Sequence, residues 1–151
     1  SVSIIKSHVK LGVEKARELG LPSNVINIIG QHHGKGLIKF FYDKAVTDEG
    51  VENVTSEEYY HPGPLPSSKE AAVVMLADSV DAATRTLKKP SVSSLEKHVW
   101  NLILEKFSTG QLNNSPLTFK ELESIKKTFV RILAGYFHSR IEYPKIKEAV
   151  R

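Results

Sequence analysis

The sequence predicts an all-α fold. Three observations carry that prediction. Apolar residues recur three and four positions apart in successive segments, the spacing of one face of a helix. Glycine and proline punctuate the gaps between those segments, and no run alternates apolar and polar residues as a half-buried strand would. The chain has 151 residues, 40% hydrophobic and 25% charged, which suits one domain of ordinary size with a buried core.

The first helix is expected from Val2 to about Leu19, with Ile4, Ile5, His8, Leu11, Gly12 and Lys15 near its buried face and Gly20 as its stop signal. A second begins at Pro22, suited to a first helical position, and carries Val25, Ile26, Ile28 and Ile29 up to His32-His33, where Gly34 and Gly36 break it. A short third covers Leu37 to about Val46. The stretch 47–67, rich in Glu, Gly and Pro, is expected to be a long loop, the kind of connection that often serves as a lid. Ser68 then caps a strong helix from Lys69 to Lys88, with Ala71, Ala72, Val74, Met75, Val80 and Ala82 buried and Lys88-Lys89-Pro90 ending it. Two more helices are expected, from about Val92 to Phe107 and from about Thr118 to His138, before a polar tail over 139–151.

Composition narrows the function. There is no cysteine, which excludes a disulfide scaffold and a thiolate metal site and fits a reducing, cytoplasmic compartment. The net charge of +4 mildly favours anionic partners such as nucleotides, but basic residues are too interleaved with acids for a DNA- or RNA-binding surface. No apolar run approaches the ~20 residues needed to span a bilayer. No signal peptide opens the chain, and with no initiator methionine it reads as a piece excised from a longer protein.

Four residues in three helical segments are candidate metal ligands: His8, the pair His32 and His33, and Asp78. Imidazoles and a carboxylate suit a divalent transition metal, and their convergence would make a metal-assisted hydrolase. Adjacent helical residues point about 100° apart, so His32 and His33 serve one metal only where the helix breaks, and Gly34 and Gly36 supply the break. Each candidate also has a plain structural reading: a polar helix end for His32-His33, a satisfied core residue for His8, and for the Asp78 carboxylate, placed among apolar neighbours, an ion pair with Arg85. Asp81 is an alternative partner for Arg85. Arg85 is the leading candidate for a phosphate contact, since its planar fork gives bidentate hydrogen bonds. Tyr42 and Lys69 are further substrate-binding candidates, and Tyr59 and Tyr60 are candidates for stacking. His61 is expected to be solvated or part of a lid, and His98 to lie on the surface.

The pattern as a whole resembles the HD-domain phosphohydrolase superfamily. The segments that carry it are Ser7-His8-Val9-Lys10, Ile28 through Gly34, Phe40-Phe41-Tyr42, Tyr60 through Pro64, Lys69 through Ala72, Met75 through Val80 and Phe137 through Pro144. More narrowly it is similar to the cytoplasmic HD domain of the seven-transmembrane receptor HD family, of the PgpH type. The resemblance implies an HD-type helical bundle that hydrolyses cyclic di-AMP to the linear dinucleotide pApA at a two-metal site, with iron or manganese as the usual metals. It implies that His8, His32 and His33 ligate one metal and Asp78 the other, with no catalytic residue here beyond the metal ligands.

One element is missing: no His is followed directly by Asp. The resemblance places that doublet upstream of His8. The chain is therefore expected to be the C-terminal part of a single HD domain, truncated at its N-terminus, holding one metal or none and weakly active or inactive by itself. Apolar surface is expected to be exposed on the first and fourth helices, favouring self-association. The parent protein is expected in the cell membrane. The alternative reading is a degenerate HD module that senses a nucleotide without catalysis.

Overall fold

The computed structural model describes residues 1–138; the expected polar tail lies outside the described residues. Six α-helices follow one another: α1 Val2–Glu18, α2 Ser23–Gln31, α3 Lys39–Glu49, α4 Lys69–Thr84, α5 Val92–Ser108 and α6 Phe119–His138. Among the described residues the only extended pairing is an isolated antiparallel bridge between Leu37 and Tyr60. The expected all-α class is the observed one.

α4 is the central helix. It packs on α2 at one side and on α5 at the other, and α5 packs on α6. Ala72, Met75, Leu76 and Val80 of α4 are buried against Leu95, Val99 and Ile103 of α5, with Leu112, Leu122 and Val130 closing the core. Ser68 caps α4 by accepting a hydrogen bond from the Ala71 amide at 3.1 Å, and Ser91 caps α5 in the same way through the Ser94 amide.

α1 packs against α2. The two approach closely because the contact is lined by glycine: a Cβ on Gly12 would stand 3.1 Å from the Ile29 side chain. This approach sets the middle of α1 against the end of α2.

Four expectations need correction. α1 buries Val9 and Ala16, so the apolar face expected inward turns to solvent, with Ile4 69% and Leu11 59% exposed; His8 shares that open face. Helix phase is legible locally, but the face covered depends on where α2 sits. Val74 and Ala82 of α4 are likewise exposed, because α4 is covered at two sides and not all round. α3 starts at Lys39, since Leu37 is taken by the bridge, and runs on to Glu49 until Gly50 at φ 87° stops it; two 3-10 turns at Val51–Asn53 and Ser56–Tyr59 fill much of the expected loop. α4 ends at Thr84, four residues early. The Leu87 amide turns back to the Thr84 carbonyl, and Pro90 disfavours helical backbone at Lys89, which sits at φ 44°.

Candidate metal centre

The end of α2 creates the site. Gln31 is the last helical residue, and its buried side chain accepts from the Ser67 amide at 3.0 Å, tying the helix end to the start of α4. The chain then turns through His32 and His33 to Gly34, whose φ of +50° lies in the left-handed region. A side chain at Gly34 would come within 2.6 Å of the Met75 methyl and 2.8 Å of Gln111 Oε1. Gln111 Oε1 also accepts from the Lys35 amide at 2.8 Å, which pins the turn to the α5–α6 connection. The break expected from Gly34 is therefore present, and it swings both imidazoles to one side, with their ring centroids 3.9 Å apart.

His8 meets them from α1. Its Nε2 lies 3.4 Å from His32 Nε2 and 3.2 Å from His33 Nε2. One ring nitrogen from each histidine falls within 4.8 Å of those of the other two.

The opposite ring nitrogens define the tautomers. His8 Nδ1 donates to the Ile5 carbonyl, and His32 Nδ1 donates to the Ile29 carbonyl at 2.7 Å. A carbonyl only accepts, so the proton sits on Nδ1 in both rings. His33 Nδ1 faces Asp78 Oδ2 at 3.4 Å, an ion-pair distance at which the carboxylate favours the proton on that nitrogen. Three Nε2 lone pairs thus point at one another with no proton between them. That arrangement is repulsive alone and complementary to a cation, and it is the tautomer set that metal-ligating histidines adopt. The donor set fits a divalent transition metal.

Burial and neighbouring charge keep His33 deprotonated. The His33 pKa falls to about 3, first through desolvation and then through His32, His61, His8 and Lys106. His33 is therefore neutral throughout the neutral range.

Asp78 stands apart from the three nitrogens, on the far side of the His33 ring. Its side chain is 47% exposed, so the carboxylate among apolar sequence neighbours is at the surface and not in the core. Arg85 is bound by Asp81, one turn before it, and not by Asp78. Tyr42 packs edge-on against Tyr59, with ring centroids 5.7 Å apart. Lys69 is paired with Glu121 of α6 at 2.7 Å. None of the three substrate-binding candidates is a member of the histidine cluster.

Two residues escaped the sequence reading. His61, expected to be solvated or part of a lid, is buried and stacked on His33 at 4.4 Å between centroids; its Nδ1 has no hydrogen-bond partner among the described residues. The bridge that carries Leu37 and Tyr60 puts it there, through the His61 amide donating to the Gly36 carbonyl at 2.9 Å. Burial, then His8, His32, Lys6 and Lys106, lower its pKa to about 4. The second is Lys106 of α5, a desolvated ammonium close enough to act electrostatically on both His33 and His61. No local signal marks Lys106, and His61 stands out only as part of the Tyr60 through Pro64 segment that carries the resemblance. His98, also expected on the surface, is partly buried with an unpartnered Nε2.

Comparison with known proteins identifies the family. The family model described as the HD domain matches residues 2–83. The cyclic-di-AMP phosphodiesterase PgpH of Bacillus subtilis is 45% identical over 151 residues, all of this chain and 21% of that protein. The protein of the same name from Listeria monocytogenes is 36% identical over 148 residues, 98% of this chain and 20% of that protein. The chain thus spans about a fifth of the length of these curated relatives. The crystal structure of the L. monocytogenes phosphodiesterase PgpH HD domain in complex with cyclic-di-AMP superposes with a TM-score of 0.85 at 36% identity, covering 95% of this chain and 66% of that one.

Proposed function

This chain belongs to the HD domain family, and on that footing we propose that it forms part of a metal-dependent phosphodiesterase domain that opens cyclic di-AMP to linear pApA. The observation that carries the proposal is the set of three Nε2 lone pairs at His8, His32 and His33, two fixed by a carbonyl acceptor at the opposite ring nitrogen and the third facing the Asp78 carboxylate there. A purely structural cluster gains nothing from that tautomer set.

In this reading His8, His32 and His33 hold one divalent cation, with iron or manganese the metals expected. When bound, such a cation supplies Lewis acidity toward a phosphoryl oxygen and lowers the pKa of the water it carries. Asp78 orients His33 through Nδ1, and its second oxygen is available to a second cation. Further ligands to that cation are proposed to come from the part of the relatives' HD domain that lies outside this sequence. His61 covers one face of His33 and keeps water from it.

The substrate contacts proposed are Arg85, Tyr42 and Lys69. Arg85 and Lys69 would exchange Asp81 and Glu121 for phosphate, while Tyr42 offers a ring to a base. Lys69 lies nine residues before Asp78, about 13 Å along the helix. It can touch only the far end of a ligand of dinucleotide size. Among the described residues no helix is long and apolar enough to cross a membrane. A cytoplasmic placement on a membrane-anchored parent is part of the same proposal.

The test is turnover. The full-length protein loaded with iron or manganese is expected to convert cyclic di-AMP to pApA, with loss of metal and of turnover together in His33→Ala. Absence of turnover in either metal overturns the enzymatic reading. Nucleotide binding without turnover would instead favour a sensing module.

A further inference from the structure

α5 contributes no histidine or carboxylate to the cluster, yet its last turn sends Lys106 toward it. The ammonium sits beside Gly36: its Nζ is 3.5 Å from where a Cβ on that glycine would stand. Gly36 donates to the His33 carbonyl at 3.0 Å and accepts from the His61 amide at 2.9 Å, so Lys106 lies against the backbone strip that carries both rings.

Its electrostatic neighbours are His33, His61 and Asp78 on the site side, and Glu105 on its own helix. None of the carboxylates pairs with it. Lys69 and Lys126 are matched to Glu121 and Glu96, but among the described residues the Lys106 ammonium has neither a hydrogen bond nor an ion pair. Burial without a counter-ion is costly and here lowers its pKa. An ammonium held in that state beside a cation site is poised for an anion that arrives from outside.

There is room for such an anion to bring a nucleoside with it. Lys106 also lines a cleft of about 430 Å³, together with Lys35, Lys39, Tyr60, Gln111 and Asn113, and with Glu105 as its one carboxylate. Cations, an aromatic ring and two amides are groups that match phosphate and base.

We propose that Lys106 pairs with a non-bridging phosphate oxygen of the cyclic dinucleotide and anchors the substrate between the imidazole cluster and this cleft. The proposal rests on the phosphodiesterase reading above and names a contact within it. It assigns Lys106 a binding role toward substrate and no role toward the metal.

The experiment uses the full-length protein loaded with manganese. Lys106→Met keeps the aliphatic stem and removes the charge. Expected are unchanged metal content, a rise in KM that lowers kcat/KM by about 10- to 100-fold, and a matching loss of inhibition by inorganic phosphate. Lys106→Arg is expected to recover most of the affinity. Values of kcat/KM and of phosphate inhibition within about twofold of wild type overturn the proposal, as does a variant whose only change is lower thermal stability. Should the Met variant not fold, Lys106→Gln is read by the same criteria; should neither fold, the Lys106 side-chain NMR signal of the wild type must shift on phosphate addition, and an unmoved signal overturns the assignment. If the wild type does not turn over cyclic di-AMP, the phosphodiesterase reading has failed, and calorimetric titration of phosphate into wild type and variant still decides whether Lys106 binds the anion.

Discussion

Replacing Gly34 with alanine puts a methyl group where the turn that forms the metal centre has no space for one. The residue is at φ +50°, a conformation that costs an L-residue about 1–2 kcal/mol. The new methyl would stand 2.6 Å from Met75 Cε and 2.8 Å from Gln111 Oε1. Both are ends of side chains, so each can retreat, but not freely. Met75 is fully buried. Gln111 holds the Lys35 amide, a bond worth about 1 kcal/mol. Shifting the methionine adds on the order of 1 kcal/mol. Against these, alanine restricts the unfolded chain and returns roughly 0.4–1 kcal/mol. The net expectation is a loss of about 2–3 kcal/mol, or a fall of about 1 M or more in the urea midpoint for a slope of ordinary size. Because the same turn swings His32 and His33 to one side, manganese or zinc affinity measured by calorimetry should fall with it. An alanine variant with an unchanged midpoint and unchanged metal affinity would refute the claim that this turn is sterically tight and that it builds the site.

Other expectations follow from the same geometry. His8→Ala removes one of three nitrogens from an exposed position, so metal affinity should drop by at least about tenfold while the urea midpoint of the metal-free protein hardly moves. Asp78→Asn should weaken metal binding by about 10- to 100-fold by releasing the His33 tautomer, and equal affinity would remove Asp78 from the site. Acid should destabilise the metal-free fold in a defined window. The pKa values of His33 and His61 are lowered to about 3 and about 4, so below the unfolded value of 6.5 the unfolded chain binds protons that the fold does not. Stability from this source is complete above pH 6.5 and declines as the pH falls toward 4, and urea midpoints that stay flat across that range would contradict it. The exposed Ile4 and Leu11 beside His8 should drive self-association of residues 1–151 in isolation, and light scattering that reports a strict monomer would count against it.

The candidate ligands were legible before any coordinates. His8, His32 and His33 stood out by residue type, and Gly34 stood out because two adjacent imidazoles cannot converge on an unbroken helix. His61 and Lys106 were not legible. Each is brought to the centre by something local sequence does not encode: a bridge between Leu37 and Tyr60 for the first, and the packing of α5 on α4 for the second. The inward face of α1 was misread for a related reason. Apolar residues at Ile4 and Leu11 mark a helix face, but not which neighbour covers it.

The order of the helices, most of their ends and the N and O character of the candidate metal ligands were set by the chain itself. Periodicity, capping residues and glycine or proline breaks act over a few neighbours, and a sequence displays those directly. The tertiary structure decided which faces are covered, that Asp78 holds a histidine nitrogen at the surface and that a lysine from a fifth helix joins the group. Those depend on contacts between residues tens of positions apart, and such contacts exist only once the helices have packed.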